Sequence, residues 1–151
     1  MIRAILLLAA ATLLPLAACA QTPIAPCSFL TPDQIRAALN SPVEPGQPGV
    51  AKGSNECTWS DAQGEDRVYI AVRPGADFRS MRTQIEKNGG HPSPLTGLGD
   101  DAFFVSDESS SALYVLAKNH LLILTVNSPD GTQQTSQAAE KTFATQILPK
   151  L

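Results

Sequence analysis

The side chains able to do chemistry are few and scattered. Asp100 and Asp101 stand together after the turn Gly97-Leu98-Gly99, and two carboxylates so placed could hold a cation or serve as acid and base. Neighbouring residues at the start of a strand point to opposite faces, however, so a turn cap is the favoured reading. His91 and His120 are the only two histidines; one falls in a Gly/Pro loop and the other at a hairpin turn, places that suit solvated residues better than ligands. Ser109-Ser110-Ser111 reads as a turn by composition. The chain has no G-x-S-x-G elbow, phosphate-cradling glycine loop, H-E-x-x-H or paired C-x-x-C, and each of those patterns carries a mechanism through its spacing. The expectation is a non-enzymatic protein with no metal and no cofactor. Gly97, Gly99, Asp100 and Asp101 remain as a candidate interaction loop.

Three cysteines complete the inventory. Neither Cys27 nor Cys57 has the spacing or the nearby histidine that metal or redox work requires. Their role depends on compartment, and the first residues speak to that. Met1-Ile2-Arg3 is a short positive start, and Ala4 to Leu14 is apolar apart from Thr12. Such a run is shorter than the roughly 20 residues that span a bilayer, so it reads as a signal peptide. Leu16-Ala17-Ala18-Cys19 resembles the lipobox of bacterial lipoproteins. The resemblance implies a lipidated, palmitate-bearing Cys19 at the start of the mature chain and a membrane held through that lipid. Ala18-Cys19-Ala20 also fits ordinary secretory cleavage before Gln21. Cysteine accounting favours the lipobox: with Cys19 given to lipid, Cys27 and Cys57 are left as a pair, and a pair in an oxidising compartment is expected to bond. Closing that loop is worth roughly 3 to 4 kcal/mol.

The bulk numbers narrow the class further. The chain has 151 residues, 43% of them hydrophobic and 17% charged, with a net charge of -3 that becomes one more negative when Arg3 leaves. This is the composition of a folded domain, and without a run of Lys or Arg it lacks the footprint of a nucleic-acid binder. The organisation expected is a lipoprotein signal peptide at 1–18, a lipidated tether at 19–26 and a single domain at 27–151. The protein would be exported and anchored. Ala20 lacks the acidic residue that holds lipoproteins at an inner membrane, which points to an outer membrane facing the periplasm, or to the outer face of the cell membrane where there is no other.

These residues must be positioned by elements legible from pattern. Thr31 to Asn40 predicts a helix with Thr31 as N-cap, Pro32 at its first position and Gln34 closing a capping box. A Gly/Pro loop, Ser41 to Glu56, leads to a hairpin of Cys57–Asp61 and Arg67–Arg73 about Gln63-Gly64, with Trp59 in the core. Asp77 is expected to cap a second helix running through Asn88 to Gly89-Gly90. After the loop Gly89 to Asp100 come strands at Asp101–Ser106, Ala112–Lys118 and Leu121–Asn127, and then a helix near Thr132 to Leu148. The fold class is α+β: an antiparallel sheet of about five strands with about three helices, in the order α-β-β-α-β-β-β-α, and one disulfide. Leu121 to Leu124 are apolar on both sides, which asks for cover on both faces of the sheet. Two helical layers or a partner would provide it.

Cys27-Ser28-Phe29-Leu30-Thr31, Cys57-Thr58-Trp59 and Leu95-Thr96-Gly97-Leu98-Gly99-Asp100-Asp101-Ala102-Phe103 together resemble a family of small exported lipoproteins abundant in actinobacteria. The resemblance covers most of the mature chain. It implies a domain of this class, brings no established activity, and assigns Asp100 no catalytic role. A lipid-anchored envelope module that binds another envelope protein is the first expectation. A sensory or small-ligand domain, holding an apolar molecule between helix and sheet, is the alternative; a hydrolase using Asp100, Asp101 or His91 is the least supported.

Overall fold

The computed structural model describes residues 24–51, 54–107 and 110–151. Cys19 and the signal segment lie outside the described residues, as does Ser109 of the serine turn. The elements are α1 (Pro32–Leu39), β1 (Gln47–Pro48), β2 (Glu56–Ser60), β3 (Asp66–Pro74), α2 (Asp77–Lys87), β4 (Ser93–Leu95), β5 (Asp101–Ser106), β6 (Ser111–Ala117), β7 (His120–Val126) and α3 (Gln133–Ile147). They form one antiparallel sheet in the order β1-β2-β3-β7-β6-β5-β4.

The sheet has seven strands rather than about five, and the element order is not the expected α-β-β-α-β-β-β-α. Each of the two Gly/Pro loops contributes one short strand, and these two form the sheet's edges. Pro48 and Pro94 hid them, because proline is poor strand material in a central position but tolerable on an edge.

Local chemistry accounts for the helix starts. Thr31 accepts from the Gln34 amide while the Gln34 side chain takes the Thr31 amide, the full capping box. Thr132 caps α3 through the Thr135 amide. The second helix departs from expectation: its N-cap is Ala76, with no side-chain cap, and Asp77 is already helical. The Asp77 carboxylate still lies at the positive end of the helix dipole.

The sheet is covered on both faces. On one side α1 and α3 bring Ile35, Leu39, Phe143 and Ile147 against Trp59, Ile70, Leu113 and Leu124. Cys27 and Cys57 are bonded, with Cα atoms 5.1 Å apart, and tie the turn before α1 to β2. Close approach here forces a glycine at 46, where a Cβ would lie 2.7 Å from both Cys57 Sγ and the Trp59 ring. On the other side α2 lays Phe78, Met81 and Ile85 over Ala71, Phe103, Leu121 and Ile123. Among the described residues no helix is long and apolar enough to cross a membrane.

Candidate functional site

The structure gathers part of the predicted loop. Gly97 and Gly99 have φ of 79° and 64°, and the Asp100 amide donates to the Leu116 carbonyl at 2.7 Å. The turn is thereby pinned to the end of β6. Gly97, Gly99 and Asp100 line a shallow groove of about 490 Å³ with Lys118, Leu148 and Pro149. Asp101 is not in it; it starts β5 opposite Leu116, and both carboxylates are exposed. His91 is exposed beyond the end of α2, and His120 lies at the β6–β7 turn with Nδ1 2.9 Å from the Lys118 carbonyl. The two histidines and the two aspartates form no common centre: among the described residues no group of three His, Cys, Asp or Glu could hold a metal ion.

The second face of the sheet carries two rows of residues that lie outside this groove. Register places Ala71, Ile123, Tyr114 and Phe103 in one row across β3, β7, β6 and β5. Over that row lies α2: Phe78 meets Phe103 at 5.2 Å between ring centres, Phe103 stacks on Tyr114 at 4.8 Å, and the Arg82 guanidinium sits 5.6 Å above Phe103. The next row is Thr58, Tyr69, Thr125, Ala112 and Val105. All five are half-buried. Partial burial pushes up the phenols of Tyr69 and Tyr114, and the nearby Glu56 carboxylate adds to the effect at Tyr69.

Two electrostatic features were not anticipated from the sequence. Glu140 is fully buried on α3, where its carboxyl accepts from the Ser111 hydroxyl at 2.9 Å and the Val126 amide at 3.2 Å. Desolvation pushes its pKa to about 8 against the pull of those two bonds. Its spacing to Phe143, Ala144 and Ile147 puts it on the inward face, a signal that could have exposed it. Asp61 is the second: it accepts from the amides of Gln63 and Glu65 and from two N–H groups of Arg67, at 2.8 and 2.6 Å. Burial raises its pKa, but the Arg67 and amide bonds together outweigh that and hold the carboxyl below its ordinary value.

No family model matches the chain, and no curated protein matches it. Among solved structures it is similar to a GTP binding regulator from Thermotoga maritima, at 12% identity, over 77% of this chain and 89% of that one, with a TM-score of 0.39. A likeness of that size bears on neither fold nor function.

Proposed function

We propose that the protein is a lipid-anchored module of the cell envelope that works by binding another envelope protein and not by catalysis. Anchorage rests on Leu16-Ala17-Ala18-Cys19 and the apolar run before it. The binding half rests on one observation, the half-buried row Thr58, Tyr69, Thr125, Ala112 and Val105 beside α2. The strip carries no charged residue and includes a tyrosine, both features of the core of a protein interface. The sheet edges suit it less, since β1 and β4 are two and three residues long and each carries a proline.

A small apolar ligand between helix and sheet is less well supported. Trp59, Phe143 and Ile70 fill the larger interior, and Phe78 and Phe103 fill the smaller one.

The deciding experiment is crosslinking in intact cells of the natively lipidated chain, with Cys19→Ala as the control. A specific protein that disappears both in the control and in Val105→Arg supports the reading. Capture that is indifferent to Val105→Arg removes the strip from it, and recovery of a bound small molecule instead of a protein replaces it.

A further inference from the structure

Glu140 sits in the middle of α3, fully buried, on the face that carries Phe143 and Ile147 into the core. Its carboxyl meets the Ser111 hydroxyl on one oxygen and the Val126 amide on the other. No ion pair reaches it among the described residues. The charged groups of the surrounding elements are engaged elsewhere. On α1, Asp33 and Arg36 are exposed and paired with each other. In the β5–β6 turn Asp107 takes the Ser110 amide and hydroxyl, and after β6 Lys118 holds the Pro149 and Leu151 oxygens. Asp101 is exposed at the start of β5, His120 lies at the β6–β7 turn, and Tyr114 is on the opposite face under α2. Ahead of α3, Asp130 takes the Thr132 amide and the Ser128 and Thr135 hydroxyls. The Lys141 ammonium stands 5.5 Å over the Phe104 ring, and Lys150 is bonded to the Phe29 carbonyl.

A carboxylate buried with no cation beside it is costly, so the closed site holds the neutral acid. A neutral acid needs an acceptor for its proton. The Ser111 hydroxyl can turn to accept it and point its own hydrogen at Ser106, 3.2 Å away, whose oxygen also takes the Gln137 amide group. Ser106 and Gln137 are half-buried, so this polar line runs from the carboxyl toward solvent. The two halves of α3 are fastened differently. Toward its end Gln146 is bonded to Gln34 of α1, and the turn that follows is pinned through Lys150 and Lys118. Toward its start, the side-chain hydrogen bonds to the sheet among the described residues are those of Glu140 and Gln137.

We propose that Glu140 is a proton-controlled latch: with its proton in place the first half of α3 stays shut on β6 and β7, and loss of the proton lets that half swing out about the fastened second half and carry the carboxylate to water. Opening uncovers the apolar sheet surface beneath Ala139 and Phe143. The latch does not depend on the anchor at Cys19. Its sign follows from linkage. The open half gives up its proton in the ordinary carboxylate range near 4.5, whereas the closed one keeps it to about 8. Between those values each rising pH unit favours opening about tenfold.

Backbone hydrogen exchange of the mature chain in detergent micelles, followed from pH 5.5 to 7.5 and divided by the intrinsic exchange rate, tests this. The amides of residues 137–143 are expected to exchange through an opening of their own, more frequent than that of the β7 amides 122–125, and rising about hundredfold over those two pH units. Glu140→Gln puts a permanent donor where the neutral acid carries its proton, and is expected to remove the rise. A second measurement needs no variant: the chemical shift of the Val126 amide, which the carboxyl accepts from, is expected to move in one step near pH 8. A single opening constant shared by α3 and β7 would overturn the latch, as would a rise that survives Glu140→Gln or a Val126 step in the ordinary carboxylate range.

Discussion

The hydroxyl of Ser111 donates to the carboxyl of Glu140 at 2.9 Å, joining the first residue of β6 to the middle of α3 where neither side chain meets solvent. The contact continues outward: the Ser106 and Ser111 hydroxyls are 3.2 Å apart, and Gln137 donates to Ser106 at 3.0 Å. A polar line thus crosses an otherwise apolar interface, and it is satisfied throughout.

Because burial lifts Glu140 to about 8 from an ordinary 4.5, the folded chain keeps a proton that the unfolded chain gives up. The resulting stability is fully present below about pH 4.5 and is lost as pH rises toward 8. Within that window the slope contributed by this group approaches about 1.4 kcal/mol per pH unit. Glu140→Gln is expected to flatten it, matching the parent at pH 5 and exceeding it at pH 8. Urea unfolding at both pH values checks this; parallel curves for the two proteins would count against a protonated Glu140.

Asp61 acts in the reverse sense. Its lowered pKa makes its contribution present above the usual carboxylate range and lost as pH falls through it. Asp61→Asn is expected to destabilise the domain at pH 7 and to converge with the parent near pH 2. Thermal melts across that range would show convergence or its absence.

Cys27→Ser with Cys57→Ser is expected to cost about 3 to 4 kcal/mol, read as a shift of the urea midpoint at constant slope. Reducing the parent chain should reproduce the loss, and a midpoint indifferent to reductant would mean the bridge does not constrain the unfolded chain.

Gly99 and Gly64 separate two costs of adding a methyl group. Both have positive φ, but a Cβ at 64 meets nothing within 4 Å while one at 99 would lie 2.5 Å from the Leu116 oxygen. Gly64→Ala is expected to lose about 1 to 2 kcal/mol from backbone strain alone. Gly99→Ala should lose visibly more and disturb the β5–β6 pairing. Equal losses would remove the steric argument for the glycine turn.

Much of the scaffold was legible because local rules and tertiary structure agree. Thr31, Pro32 and Gln34 announce α1 before any contact is known, and the alternation of Val68, Ile70 and Val72 fixes which side of β3 meets the core. Pairings that local pattern does not specify were missed. Gln47–Pro48 and Ser93–Leu95 become strands only because β2 and β5 offer them an unpaired edge. The candidate loop was read from the spacing of Gly97, Gly99, Asp100 and Asp101, and the structure keeps three of the four around one groove while Asp101 turns onto a strand. The row of Thr58, Tyr69, Thr125, Ala112 and Val105 joins five strands far apart in the chain, and no spacing rule could have assembled it.

The bridge from Cys27 to Cys57 also determines how the domain carries mechanical load. Any pull on the N-terminal segment reaches Cys27 before α1, and from there passes through a covalent bond into β2, which is hydrogen-bonded along its length to β3. The chain between the two cysteines, including α1 and the loop through Gly46, is bypassed. Tension therefore meets the sheet before it can unravel the helix, and the domain should withstand a pull on its N-terminal end far better with the bridge closed than open.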